Sequence, residues 1–251
     1  MIKNFFPNKT ALYALLAACF VVCTTMGVRQ TFGLYSSEFE TTAGTSNTEF
    51  GLAIAVHAIF WGIFTPVFGR ISDRLGGYVV IVPALIFYSI AMLLMGNNYV
   101  SGMWLQINLG LFVGLGLAGA AGTILTPMIS KHFPNENRSK AAGYVTAFGG
   151  LGMFMFPAFS NFLITETGWQ TTFTVFSIIL LVMCIPGFFL KNPEKGGRYL
   201  LSSYSEGPFK INGVLSYSSF VERGDIVDLG FHRLEFKPQT EEILSSKERR
   251  M

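Results

Sequence analysis

The sequence predicts an all-α protein that crosses a membrane six times, and three observations predict it. Hydrophobic residues make up 51% of the 251-residue chain and charged residues only 13%, whereas a soluble domain carries about a quarter charged residues. Six stretches reach the roughly 20 mostly apolar residues that a membrane-spanning helix needs. The short segments between them alternate along the chain between ones that hold Lys or Arg and ones that hold neither.

The first span covers 11–34. Lys3 and Lys9 precede it as in a secretory signal. Its apolar run is longer than the roughly 7–15 residues of a signal core, and Thr24-Thr25-Met26-Gly27-Val28-Arg29 offers no cleavage site, so it reads as a retained helix. The other spans cover 50–68, 78–96, 103–129, 142–163 and 169–190. With the N-terminus inside, the inner segments carry Lys3, Lys9, Arg70, Arg74, Lys131, Arg138, Lys140 and Lys191. The outer segments 35–49, 97–102 and 164–168 have no Lys or Arg and hold Glu38, Glu40, Glu49 and Glu166. Basic residues flank spans on the cytoplasmic side, which places both termini in the cytosol and the chain in a bacterial inner membrane or plasma membrane.

Composition also excludes. A net charge of +3 is a property of the membrane flanks and gives no reason to expect nucleic acid. Cys19, Cys23 and Cys184 sit in apolar runs and read as buried small hydrophobes. No cluster has metal-ligand spacing and no nucleophile–base pair stands out, so neither a metal, a cofactor nor catalysis is expected. Residues 1–192 form the bundle, and 193–251 make a polar cytoplasmic tail. Segments 213–221 and 226–236 suit short strands, yet the tail is too small and polar for a domain. It is expected to be poorly structured, or else to be translation past a sequence break.

The run Gly114-Leu115-Gly116-Leu117-Ala118-Gly119 matches a dinucleotide-binding fingerprint by letter. That motif needs a preceding strand and an acid about twenty positions on, and an apolar span offers neither. Gly110, Gly114, Gly116 and Gly119 instead remove bulk along a helix so that a neighbour can approach closely.

Between the second and third spans stands Gly69-Arg70-Ile71-Ser72-Asp73-Arg74-Leu75-Gly76-Gly77. The spacing G-x-x-x-D-R-x-G, at this place and orientation, resembles the signature loop of the major facilitator superfamily. The resemblance implies that Gly69 and Gly76 permit a tight turn and that Asp73 and Arg74 belong to a charge cluster. That cluster latches two halves of a transporter in the outward-facing state, with the partner of Asp73 in a second bundle. Gly77 and Tyr78 stand where the family usually has a basic pair. Further segments agree: Gly27-Val28-Arg29-Gln30-Thr31-Phe32-Gly33, Phe50-Gly51-Leu52-Ala53, Pro66-Val67-Phe68-Gly69, His132-Phe133-Pro134 and Gly149-Gly150-Leu151-Gly152. Together they look like the bacterial branch of monocarboxylate porters and oxalate–formate antiporters. Gly110 stands where many proton-coupled members carry an arginine. Such a half is built of two three-helix repeats, and Asp73-Arg74-Leu75-Gly76 before the third span has a faint counterpart in Glu166-Thr167-Gly168 before the sixth.

Arg29 is the one clear cation within a span. Two readings fit it: snorkelling to the outer headgroups, or lining a cavity and pairing with a carboxylate through its planar fork. His57 is either a satisfied core histidine or the acceptor of a co-transported proton. Gln30, Gln106, Asn108, Thr123, Thr126 and Tyr144 suit interhelical hydrogen bonds, and as a set they outline a polar cavity between the first, second, fourth and fifth helices. The expected function is alternating-access transport of a small organic anion such as a monocarboxylate. It would use Arg29, Gln30, His57, Gln106, Asn108 and Tyr144 for substrate, and a second six-helix half or a second copy as partner within the bilayer. A degenerate half-transporter acting in assembly or sensing is the rival expectation.

Overall fold

The computed structural model describes residues 9–190 and, beyond them, the backbone of six short segments between 199 and 235. The chain divides into two units, Met1–Pro193 and Glu194–Met251.

The first unit is all helix among its described residues. Helix α1 (Lys9–Gln30) leads through a 3₁₀ turn (Phe32–Tyr35) to the short α2 (Ser36–Ala43), so the outer segment after the first span is structured rather than an open loop. Next come α3 (Asn47–Leu75) and α4 (Gly77–Gly96). The fourth span is composite, with α5 (Gly102–Leu105), a π-helical stretch (Gln106–Phe112), α6 (Val113–Ala120) and α7 (Gly122–Ser130) in series. Then follow α8 (Asn135–Thr167), α9 (Trp169–Val182) and α10 (Cys184–Phe188). Six helical runs are long and apolar enough to cross a membrane: Lys9–Ala43, Asn47–Leu75, Gly77–Gly96, Gly102–Ser130, Asn135–Thr167 and Trp169–Phe188.

Helix ends overrun the apolar windows where capping chemistry allows. Ser46 Oγ accepts the Glu49 N–H at 3.2 Å, and the Glu49 carboxylate accepts the Ser46 N–H at 3.0 Å. This reciprocal pair starts α3 three residues before its first apolar residue. Gly76 at φ +105° ends α3, and Gly168 at φ +84° ends α8. Both lie in the region that favours glycine, and each turns the chain at once into the next helix.

The pairing of spans carries an internal symmetry. The first span packs most extensively on the fifth (α1 on α8), and the second packs on the fourth (α3 on α6). Exchange of the first three spans with the last three maps one pair onto the other, as two three-helix repeats require. Glycines allow both approaches. A side chain on Gly152 would run into the Cys23 backbone, and one on Gly114 would begin 2.8 Å from Phe60 Cβ and 3.0 Å from the His57 carbonyl. Gly110 faces Val56, while Gly116 and Gly119 face α4 through Tyr88 and Ala84. Not every span is equally enclosed. In the most apolar window, 67% of the first and fourth spans is buried, but only 17% of the second and fifth. One side of α3 and α8 is therefore without a neighbour among the described residues.

The second unit carries six short strands: β1 (Tyr199–Ser202), β2 (Phe209–Ile211), β3 (Val214–Ser216), β4 (Ser218–Val221), β5 (Ile226–Asp228) and β6 (Arg233–Glu235). β1 pairs with β4, and the other four form an antiparallel sheet in the order β3-β2-β5-β6. The last four strands fall in the segments 213–221 and 226–236 singled out from sequence.

Candidate substrate site

Arg29 lies in the last turn of α1, and its guanidinium sits over the Trp61 ring of α3, 5.1 Å from the ring centroid. His57 is one helical turn before Trp61, on the same face. It stacks on Trp61 with centroids 6.1 Å apart and planes 11° from parallel. Phe32 meets the other side edge-on at 6.4 Å. His57 is 1% exposed, and neither ring nitrogen has a hydrogen-bond partner. The Arg29 Nε is buried and unpartnered as well. Among the described residues the one salt bridge joins Lys131 to Asp73, so no carboxylate balances Arg29.

Trp61 is also one wall of a cavity of about 430 Å³. Val22 and Met26 of α1 line it, with Gly122, Thr123 and Thr126 of α7 and Thr146, Gly149, Gly150 and Met153 of α8. These helices belong to the first, second, fourth and fifth spans. The lining is one valine, two methionines, three threonines, three glycines and one indole, largely apolar and without a charged side chain. The composite fourth span opens this space. Ala121 is extended (φ −86°, ψ 172°) and interrupts the helix between α6 and α7. Thr25 Oγ1 lies 3.1 Å from the Ala120 carbonyl at the break. A hydroxyl from α1 thereby shares its proton with a backbone acceptor that would otherwise face hydrocarbon.

Several sequence-predicted ligands are used elsewhere. Gln106 donates through Nε2 to the Glu49 carbonyl at 3.0 Å, and Asn108 donates through Nδ2 to the Tyr99 carbonyl at 2.9 Å. They tie α3 and the connection before α5 to the π-helical stretch. Gln30 is exposed, and Tyr144 is 52% exposed on α8. None of these four lines the cavity. Trp61 and Thr146 escaped the sequence reading, although the four-residue spacing of His57 and Trp61 was a signal for the first.

At the other end of the bundle, Lys131 Nζ lies 2.5 Å from Asp73 Oδ1, and both side chains are well exposed. Asp73 therefore has a partner inside this bundle, on the connection after the fourth span, as well as any it meets in a second one. Arg74 is exposed beside it. Gly77, standing where the resembled motif has a basic residue, has no room for one. A Cβ there would lie 2.8 Å from the Leu190 carbonyl oxygen.

The pattern of the Major Facilitator Superfamily matches residues 15–221. A rice (Oryza sativa subsp. japonica) protein, "Probable anion transporter 4, chloroplastic", is 30% identical over 175 residues, covering 68% of this chain and 28% of its own. The "Ascorbate transporter, chloroplastic" of Arabidopsis thaliana is 27% identical over the same length, covering 68% and 31%. Among solved structures, a bacterial homolog of the human lysosomal transporter Spinster, inward-facing and unoccupied, superposes with a TM-score of 0.64 at 19% identity. That match covers 78% of this chain and 46% of the other. The chain thus spans about a third of the length of these curated relatives.

Proposed function

The chain belongs to the Major Facilitator Superfamily, and on that premise we propose that it moves a small organic anion across the bilayer by alternating access, binding the anion's carboxylate at Arg29. The single observation that carries this reading is the Arg29 guanidinium. It lies inside a membrane-spanning run, on an indole ring that lines a cavity, and without a carboxylate partner among the described residues. Ionisable groups at such depth usually serve function, and a planar donor fork suits a carboxylate. The anion and ascorbate transporters among the relatives support this substrate class. A monocarboxylate is the finer reading, since one cation is present.

His57 takes the co-transported proton in this scheme. It is buried beside the same indole, with both nitrogens available. Gly69, Asp73, Arg74 and Gly76 form the gate, which the charge distribution of the loops places on the cytoplasmic side with both termini. Rocking requires a second six-helix bundle, either further chain or another copy, against the open side of α3 and α8.

Equilibrium binding tests the site without requiring turnover. The chain in lipid nanodiscs should bind labelled lactate, ascorbate or gluconate. Arg29→Gln should weaken that binding by at least about thirtyfold, the effect of removing one partner of a desolvated charge pair. Unchanged affinity in a folded Arg29→Gln protein would sink the role assigned to Arg29.

A further inference from the structure

Three threonines line a cavity to which no charged side chain contributes, and their hydrogen-bond states differ in a way that selects a ligand. Thr146 donates its proton to the Ala142 carbonyl at 3.1 Å, so only its lone pairs remain for a guest. Thr123 and Thr126 have no side-chain partner among the described residues. The interruption at Ala121 also leaves the Gly122 and Thr123 N–H groups without backbone acceptors at the wall of the same cavity. An aliphatic chain would give none of these groups a bond and would strip them of water, which is costly for each. A hydroxylated chain supplies both donors and acceptors. Trp61 adds a broad apolar face at the rim, and about 430 Å³ lies in the range of small-molecule sites.

Arg29 lies over Trp61, which lines this cavity, and Met26, one turn before it on α1, is part of the lining. Charge recognition therefore sits beside the space, and the threonine hydroxyls are the polar side-chain groups in its otherwise apolar wall. We propose that the cavity is a subsite for the uncharged, hydroxyl-bearing body of the substrate, so that the transported molecule is a polyhydroxy monocarboxylate with its carboxylate on Arg29. The inference rests on the anion-binding role of Arg29 and adds the identity of what that anion carries.

Three probes separate the two claims: gluconate, hexanoate (the same carbon count without hydroxyls) and glucitol (the hydroxyls without the carboxylate). Calorimetry would follow their binding to the full chain in nanodiscs. Gluconate should bind at least about tenfold more tightly than hexanoate, because a site built for hydroxyls rejects a ligand that lacks them. The near-isosteric Thr123→Val/Thr126→Val variant should cost gluconate about tenfold and tighten hexanoate, whose chain then strips no hydroxyl of water. Unchanged thermal melting of the variant shows that it folds. If hexanoate binds as tightly as gluconate while Arg29→Gln weakens both, the hydroxyl subsite is wrong and the anion site stands. If the threonine variant weakens gluconate and glucitol alike but Arg29→Gln weakens neither, the subsite stands and the role of Arg29 fails. Binding of none of the three overturns both.

Discussion

Arg29 and His57 share one indole but differ in how they answer pH. Arginine stays charged throughout, whereas histidine gains a positive charge on protonation. The His57 ring meets the Phe32 and Trp61 rings, both uncharged, and Arg29 lies over the same indole. Protonation of His57 therefore adds a second positive charge near the carboxylate site, and anion binding should tighten as pH falls. Binding isotherms of His57→Gln across pH should be flatter than those of the parent, while Arg29→Gln should lower affinity at every pH. Arg29 and His57 were legible in the sequence because an ionisable residue in an apolar run stands out. Trp61 was not, since one aromatic among many in a helix looks like packing. Gln106 and Asn108 each donate to a backbone carbonyl and keep a buried amide oxygen without a partner. A buried amide in a membrane helix looks the same whether it meets a ligand or, as here, the backbone of a neighbouring segment.

At the scale of elements, two glycines of α8 make a matched test of close packing. Gly152 lies against the Cys23 backbone, which cannot rotate out of the way as a side chain can. Gly143 has nothing within 4 Å of where its Cβ would be. Gly152→Ala should destabilise the bundle by about 1–3 kcal/mol through overpacking. Gly143→Ala should be neutral or stabilise it by up to about 1 kcal/mol, the helix-propensity gain over glycine. Thermal melting in detergent, read by far-ultraviolet circular dichroism, checks both. The spans themselves were visible in sequence because hydropathy over about 20 residues reports membrane depth directly. The composite character of the fourth span was not. Ala118 to Gly122 is a continuous small-residue run, and nothing local marks Ala121 as the extended residue. That choice is made by tertiary partners, among them the Thr25 hydroxyl of α1 beside the Ala120 carbonyl.

For the whole molecule, the open side of α3 and α8 sets the expected stoichiometry. An even number of spans keeps two bundles parallel, so a second copy and a second half of one chain would present the same kind of surface. In native-like lipid the 251-residue chain labelled with one fluorophore should bleach in two steps. Single-step bleaching would assign that surface to another partner. The Lys131–Asp73 pair adds little to folding itself, since ion pairs this exposed contribute about 0–1 kcal/mol. The pairing of the first span with the fifth has another consequence, and it concerns time. Gly27 and Cys23 of α1 meet Phe156 and Gly152 of α8, over 120 residues later in the chain. At translation speeds of about 5–20 residues per second, the first helix waits on the order of ten seconds in the membrane before its principal neighbour is made. During that interval its small-residue groove is filled by lipid or by the insertion machinery. A nascent chain halted before α8 would hold four of the six spans with the principal neighbour of its first helix still unmade.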